Sequence, residues 1–225
     1  MFHTVLFDLD GTLTDPKEGI TKSVVHGLAA IGIHVQDPDT LTAFIGPPLL
    51  GSLKKYYGLN ETDCATVLRA YQERFESVGY KENSVYDGVF ELLTMLRSRG
   101  VRLGVATAKP QPNAKMVLDY YGLSEYFDVV SGCPADETIM EKSLILANAL
   151  HQFNVTEQEK AHIVMVGDRD NDVLAAKACG IPCIGLRFGY AEPGELEGAQ
   201  ADYLVDSVKE LTKLLSESCT AFSGE

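Results

Sequence analysis

The feature that most constrains this chain is an apolar run that ends at two carboxylates close to its start. Residues 5–7 read Val-Leu-Phe, and Asp8 and Asp10 follow with one leucine between them. A short apolar run predicts a buried strand, and side chains two positions apart on a strand point the same way. Two acids on one side would repel each other and would be costly to bury without a cation. The pattern therefore predicts a strand whose end carries reactive or metal-binding carboxylates.

The residues after the acid pair support a site at this strand end. Gly11 allows a sharp turn, and Thr12 adds a hydroxyl group. The simplest chemistry for the pattern is a nucleophilic carboxylate (Asp8), a neighbouring acid/base (Asp10) and a divalent metal ion that tolerates both. An acidic turn or a loose calcium-binding loop is the alternative.

Composition and net charge limit the classes of molecule that this protein is expected to bind. The chain has 225 residues, is 45% hydrophobic and carries a net charge of −13, which suits a single core with a smaller insert. The acidic balance argues against nucleic acid and anionic membranes as main partners, whereas a small phosphorylated metabolite is compatible with it. The sequence has no apolar run long enough to cross a membrane, and its five scattered cysteines predict free thiols in the cytoplasm. We expect a monomer or a homodimer.

Periodicity divides the chain into a helical segment and an alternating segment. Residues 15–83 read as helices in series, and from residue 84 onwards strands alternate with helices. The predicted strands are 3–8, 101–107, 127–131, 163–168, 181–186 and 203–205. The predicted helices are 18–31, 38–45, 49–57, one that Asn60 caps, 89–99, 111–121, 139–150, 171–179 and 208–215, followed by a frayed tail at 217–225. We therefore predict a core of residues 1–14 and 84–225, with a helical domain of residues 15–83 inserted after the first strand.

Continuous apolar strands alternating with helices predict an α/β fold: a doubly wound parallel sheet with helices on both faces. Ligands of such folds bind at the carboxyl ends of the strands, and polar residues do follow the strands here. Thr107 ends the second predicted strand, Asp168 follows the 163–166 run, and Lys142 lies on the helix after the third strand. The predicted site thus gathers carboxylates, a hydroxyl group and an ammonium group at one edge.

These groups fit phosphoryl transfer, in which positioning and charge neutralisation dominate. Asp8 would attack phosphorus and Asp10 would protonate the leaving alcohol. Thr107 and backbone amides, including those of Gly11 and Ala108, would hold the phosphoryl oxygens, and Lys142 would offset the developing charge. Asp8 and Asp168 would supply oxygen ligands for Mg²⁺, which uses few carboxylates together with phosphate.

The motifs resemble, in order, those of the haloacid dehalogenase superfamily. Asp8-Leu9-Asp10-Gly11-Thr12 resembles its first motif, Thr107 its second, Lys142 its third, and Gly167-Asp168-Arg169-Asp170-Asn171-Asp172 its fourth. The resemblance implies a Rossmann-like core, an Asp10 backbone carbonyl on Mg²⁺, and supporting roles for Thr12 and Asp172. On sequence grounds alone, Lys109 and Lys115 compete with Lys142 for the lysine role.

The acid at position 10 points to phosphate esters, because dehalogenases have no alcohol leaving group to protonate. The helical insert resembles the superfamily's cap domain, and residues 46–49, Gly-Pro-Pro-Leu, resemble the phosphoglycolate phosphatase-like group, which includes 5′-nucleotidases. Candidate substrate-binding residues on the insert are Glu18, Gly46 and Lys54. The alternatives are a phosphomutase similar to those for β-glucose phosphate and a regulatory or scaffold protein with an inert site.

Overall fold

The structure, a computed structural model, describes residues 1–134 and 141–222. Its strands are β1 (Thr4–Phe7), β2 (Thr14–Asp15), β3 (Ser84–Val85), β4 (Arg102–Pro110), β5 (Val129–Cys133), β6 (Ile163–Gly167), β7 (Cys183–Leu186) and β8 (Tyr203–Val205). Its α-helices are α1 (Lys17–Ala29), α2 (Leu49–Tyr57), α3 (Glu61–Ser77), α4 (Val89–Ser98), α5 (Gln111–Tyr120), α6 (Lys142–Gln152), α7 (Asp170–Cys179), α8 (Glu195–Gly198) and α9 (Val208–Ser218). Short 3₁₀ segments span Pro38–Phe44, Gly79–Lys81, Ser124–Tyr126 and Glu159–His162.

Six parallel strands form the main sheet in the order β5-β4-β1-β6-β7-β8. β1 lies between β4 and β6, and Phe7 is in register with Val105 on one side and Val166 on the other. The strand order reverses at β1, and this reversal opens a crevice at the carboxyl edge of an α/β sheet. The two acids that follow β1 therefore lie at the position where such folds bind their ligands.

Helices cover both faces of this sheet, as the apolar strands predict. Val5 and Phe7 pack into one core cluster with leucines of α4 and α9, whereas Leu6 packs into a second cluster with α6 and α7. This alternation follows from the two-residue period of a strand. The predicted α/β fold with a doubly covered parallel sheet is confirmed.

The segment between β2 and β3 is helical, and a two-stranded antiparallel ribbon closes it. β2 pairs with β3 through Thr14 opposite Val85 and Asp15 opposite Ser84, so both connections to the main sheet run side by side. The predicted N-cap of α3 is present, since the Asn60 side chain accepts a hydrogen bond from the Asp63 amide at 2.9 Å. The division into 1–14, 15–83 and 84–225 stays a prediction, and the ribbon lies at its two borders.

Several predicted boundaries change. β4 runs on to Pro110 instead of ending at Thr107, with a register shift between those two residues, and β5 begins two residues later than predicted. The helix predicted over 38–45 is a 3₁₀ segment, and the start of the one predicted at 139 lies outside the described residues. The predicted frayed tail is wrong for residues 217–222, because α9 continues to Ser218 and the Phe222 amide donates to the Gly100 carbonyl at 3.1 Å.

Within the described residues, no helix is both long enough and apolar enough to cross a membrane.

Candidate active site

Asp8 and Asp10 emerge from the end of β1 on the same side, while Leu9 between them is buried in the apolar core. Both acids are buried, with exposed fractions of 1% for Asp8 and 6% for Asp10. The Leu9 amide donates to Asp8 Oδ1 at 2.7 Å, which orients this carboxylate. The strand alternation thus places both acids in one crevice, as the sequence predicts.

Asp168 follows β6, the neighbour of β1, and is fully buried. Its Oδ2 accepts a hydrogen bond from the Tyr190 amide at 2.7 Å, and its Oδ1 accepts one from the Thr12 hydroxyl at 3.3 Å. Gly11 has a φ of +82°, and a Cβ there would overlap with the Asp168 carboxylate. The glycine of the first motif is therefore required by the turn and by this close approach.

Asp172 lies in the first turn of α7 and is also fully buried. Its Oδ2 accepts a hydrogen bond from the Arg169 amide at 3.1 Å. A Cβ on Gly167 would overlap with the Asp172 carboxyl group, so the glycine before Asp168 makes room for this side chain. The fourth motif thus delivers two carboxylates from one strand-to-helix turn.

Lys142, the first residue of α6, joins these groups from the other side of the crevice. Its Nζ lies 2.5 Å from Asp8 Oδ2 and forms a second ion pair with Asp172 Oδ1. Burial acts to lower the pKa of Lys142, but Asp172 and Asp8 outweigh burial and raise it. The lysine therefore stays charged, and among the three lysines that the sequence offers it is the one that contacts Asp8.

Three carboxylates, those of Asp8, Asp168 and Asp172, form a group whose ligand oxygens lie within 4.8 Å of one another. Burial raises the pKa of Asp168 well above its usual range, with Asp172 and Asp8 adding to the shift. Burial likewise raises the pKa of Asp172 to about 6, although Lys142 opposes this. The surroundings of the three carboxylates therefore do not fully stabilise their ionised forms.

These residues fit a divalent cation. With Asp10 included, four buried carboxylates face two buried lysines, Lys142 and Lys109. With all four carboxylates ionised, two negative charges are in excess, and within residues 1–134 and 141–222 the buried Asp10 Oδ1 has no hydrogen-bond partner. Hard oxygen donors with this charge excess suit Mg²⁺.

Lys109 is a site residue that the sequence analysis considered only as a competitor of Lys142 and did not include in the predicted site. Its Nζ lies 2.6 Å from Asp10 Oδ2, and it also lies 4.6 Å from the centre of the Phe75 ring of α3. Burial raises the pKa of Asp10, while Lys109 opposes the shift. The only sequence signal was its place two residues after Thr107, where it competed with Lys142.

Thr107 lies on β4 next to β1, two residues beyond the pair formed by Phe7 and Val105. It is 1% exposed, and its hydroxyl oxygen accepts a hydrogen bond from the Lys109 amide at 3.3 Å. This bond shapes the turn in which β4 shifts register. Thr107 thus lies on the strand that borders the two acids, at the predicted edge of the sheet.

A small cavity of about 40 Å³ separates these core residues from the helical segment. Asp10, Ala108 and Lys109 line its core side, and Ile20, Phe44, Gly46 and Tyr71 are among the residues that line the opposite side. Gly46 and Ala108, two of the predicted substrate-binding residues, therefore face this space. Its largely apolar walls lie directly over Asp10.

The sequence profile described as "Haloacid dehalogenase-like hydrolase" matches residues 5–186. The chain belongs to this family. It is 37% identical over 214 residues to a 5′-nucleotidase of Pseudomonas aeruginosa, covering 95% of this chain and 96% of the relative. It is also 40% identical over 186 residues to the tyrosine-protein kinase PtkA of Mycobacterium tuberculosis, covering 83% of this chain and 62% of that protein's length. The crystal structure of a predicted phosphatase from Clostridium acetobutylicum superposes with a TM-score of 0.91 at 39% identity, covering 96% and 99% of the two chains.

In this haloacid dehalogenase-like hydrolase, two of the predicted substrate-binding residues lie away from the cavity over Asp10. Lys54 pairs with Glu61 at 2.6 Å on the surface, and Glu18 pairs with Lys22 one helical turn away. Both side chains are more than a third exposed and are satisfied by neighbours on the helical segment. Charged side chains on a helix reach solvent more readily than an apolar cavity, and the substrate-binding role of Glu18 and Lys54 stays a prediction.

Proposed function

We propose that this hydrolase cleaves small phosphate monoesters with Mg²⁺ and passes through an aspartyl-phosphate at Asp8. The observation that carries the proposal is the surroundings of Asp8. One of its oxygens is held by the Leu9 amide, the other is paired with Lys142, and the Asp168 and Asp172 carboxylates lie beside it. A buried carboxylate held in this way is oriented for attack and needs little reorganisation.

In the first step Asp8 attacks phosphorus, a bond forms between its carboxylate oxygen and phosphorus, and the bond from phosphorus to the leaving alcohol breaks. Asp10 gives its proton to the departing oxygen. In the second step Asp10 takes a proton from water, which attacks phosphorus, releases phosphate and regenerates Asp8. Burial raises the pKa of Asp10, which supports its ability to carry the proton that the first step requires.

The two buried lysines place positive charge beside two different carboxylates. Lys142 faces Asp8 and can stabilise negative charge that builds up on the phosphoryl group. Lys109 faces Asp10 and stabilises its ionised form, which is needed when water is activated. Asp8 and Asp168 would hold Mg²⁺, with Asp172 beside them. The ion would neutralise phosphoryl charge and orient the ester.

The proposed substrate class rests on the net charge and on the named relatives. The net charge of −13 supports a small phosphorylated metabolite rather than nucleic acid or an anionic membrane as partner. The cavity over Asp10 lies beside the acid that would protonate the leaving oxygen, and its volume of about 40 Å³ does not select among small phosphorylated metabolites. The relative named 5′-nucleotidase supports nucleoside monophosphates, and the resemblance to phosphoglycolate phosphatases supports phosphoglycolate. We also infer a cytoplasmic enzyme that acts as a monomer or homodimer.

The test is phosphate release from phosphoglycolate, nucleoside monophosphates, hexose phosphates and an aryl phosphate, with Mg²⁺ and with chelator. Asp8→Asn keeps the side-chain shape and removes the nucleophile, so we expect release to fall by at least about 10³-fold. Asp119→Asn, at an exposed position on α5, is the matched control. Release that survives Asp8→Asn would refute the aspartyl-phosphate. An isomeric sugar phosphate as product would establish the mutase instead, and no turnover with Mg²⁺ bound would favour the inert scaffold.

A further inference from the structure

Two core residues outside the predicted catalytic set each connect a site carboxylate to the helical segment, which is called the cap below (residues 15–83). Arg169 is the first of them. Its amide donates to Asp172 Oδ2 at 3.1 Å, and its guanidinium Nη1 donates to the carbonyl of Ile45 at 2.8 Å. Ile45 lies in the cap turn that precedes α2. One residue therefore contacts both the acid cluster and the cap.

The guanidinium of Arg169 is held in place from the core. Glu195 accepts from Arg169 Nε at 2.8 Å and from the Asp170 amide at 2.9 Å, and both paired side chains are only 12% exposed. Gly46 packs on the arginine stem, since a Cβ there would lie 3.0 Å from Arg169 Cγ. Glu195 therefore orients the arginine, and the cap turn packs closely against its side chain.

Tyr190 repeats this arrangement at the hinge, which is the ribbon formed by β2 and β3. Its amide donates to Asp168 Oδ2 at 2.7 Å, and its phenol donates to Asp15 Oδ1. Asp15 belongs to β2, and the same oxygen accepts from the Lys17 amide at 3.1 Å, where α1 begins. The ribbon that leads into the cap is therefore tied to the residue that holds Asp168.

We propose that Arg169 and Tyr190 are positioning residues that couple the cap to the occupancy of the acid cluster. This inference rests on the proposed function, because the occupants are Mg²⁺ and a phosphoryl group. A movement of Asp172 on binding reaches Arg169 through its amide hydrogen bond, and a movement of Asp168 reaches Tyr190 in the same way. The side chains of those two residues pass it on to the cap turn and to the hinge. Closure of the cap and binding at the carboxylates then favour each other.

The experiment follows hydrogen–deuterium exchange of cap residues 42–53 in the full chain, with chelator, with Mg²⁺, and with Mg²⁺ plus inorganic phosphate. We expect Mg²⁺ plus phosphate to slow exchange in the wild type by about tenfold, the effect of one hydrogen bond to a charged group. Arg169→Met and Tyr190→Phe should lose most of this response at saturating Mg²⁺. Because coupling is reciprocal, they should also bind Mg²⁺ about tenfold more weakly by calorimetry.

Matched controls make the same chemical changes elsewhere. Arg187→Met and Tyr203→Phe alter side chains that are more than 40% exposed, and both should keep the wild-type response. If Arg169→Met does not fold, Glu195→Gln loosens the same guanidinium with a smaller change, and Tyr190→Phe removes a single oxygen.

Two results would overturn the coupling. In the first, Mg²⁺ and phosphate do not change the exchange rate of the wild-type cap. In the second, they slow exchange in the Arg169 and Tyr190 variants as much as in the wild type. The proposed function is judged separately by phosphate release. A wild type that releases no phosphate but keeps the exchange response would refute the proposed function alone. Normal release without any exchange response would refute the coupling alone.

Discussion

Replacing Lys142 with methionine removes an ammonium group from the centre of the acid cluster and keeps the length of the side chain. Lys142 pairs with Asp8 and Asp172, and its side chain is 2% exposed. Breaking a buried ion pair by removing one partner costs about 3–5 kcal/mol, because the remaining charge is buried without compensation. At pH 8 and without divalent metal, we expect Lys142→Met to lose about that much free energy of unfolding.

The same loss should shrink on acidification. Burial already raises the pKa of Asp172 in the folded protein to about 6, above its ordinary value of 3.8, and Lys142 opposes that shift. A carboxyl group with a raised folded pKa stabilises the fold below its unfolded pKa, and this contribution is lost as the pH rises through the folded value. Without Lys142 the pKa rises further, so the variant binds a proton at pH 5. We expect a loss of only about 1–2 kcal/mol there.

Urea unfolding followed by circular dichroism, in chelator at pH 8 and pH 5, measures both values. Lys115→Met is the matched control, because Lys115 is exposed on α5, and it should change the free energy by less than about 0.5 kcal/mol at either pH. A loss for Lys142→Met that is equal at the two pH values, or below about 1 kcal/mol at pH 8, would contradict the electrostatic argument.

Two further predictions concern the second lysine and the cap. Lys109→Met removes the cation paired with Asp10 at 2.6 Å, so the ionised base is harder to form and kcat should fall by about 10²-fold or more in steady-state phosphate release. Glu82→Gln removes the charge of a carboxylate that accepts two hydrogen bonds from Arg74, which lowers the pKa of Glu82. We expect the free energy of unfolding, measured in urea at pH 7, to fall by about 1 kcal/mol. Because the pKa of Glu82 is lowered, the contribution is fully present above the unfolded value of 4.5 and disappears as the pH falls through the lower folded value.

Controls for these two changes lie on exposed surfaces of the same molecule. Lys115→Met should keep the kcat of the wild type, and Glu76→Gln, on the exposed side of α3, should keep its stability at pH 7. A Lys109 variant with normal turnover would show that Asp10 does not depend on its lysine. A Glu82 variant whose loss of about 1 kcal/mol stays constant as the pH falls through the lowered folded pKa of Glu82 would show that the loss is steric rather than ionic.

The sheet and the catalytic edge were predictable because both depend on local patterns. An apolar run ending in Asp8 and Asp10 requires a buried strand with its acids at one end, and the 163–166 run places Asp168 in the same way. These patterns also led to the correct family. The roles assigned to the individual site residues stay predictions, although the structure brings Asp8, Lys142, Asp168 and Asp172 together.

Local sequence patterns predicted the structure poorly where contacts with another segment determine the conformation. β4 runs past Thr107 because β5 continues to pair with it as far as Pro110. Residues 218–222 hold their positions because their backbone pairs with Phe2 and Gly100, which are far away in sequence. Glu18 and Lys54 found ion-pair partners on the cap surface, and no periodicity reveals which of several charged residues will do so.

The sequence alone therefore determined the α/β class, the family and the edge of the sheet that carries the acids. The alternation of apolar strands with helices is a local pattern, and placing carboxylates inside an apolar strand, rather than at its end, would bury charge at a high energetic cost. Only the tertiary structure decided the partners of each acid. It paired Lys142 with Asp8 and Asp172, and Lys109 with Asp10. It also placed Arg169 and Tyr190 between the acids and the cap. Those pairings join segments that lie far apart along the chain, and the long-range packing of sheet, helices and cap sets their distances.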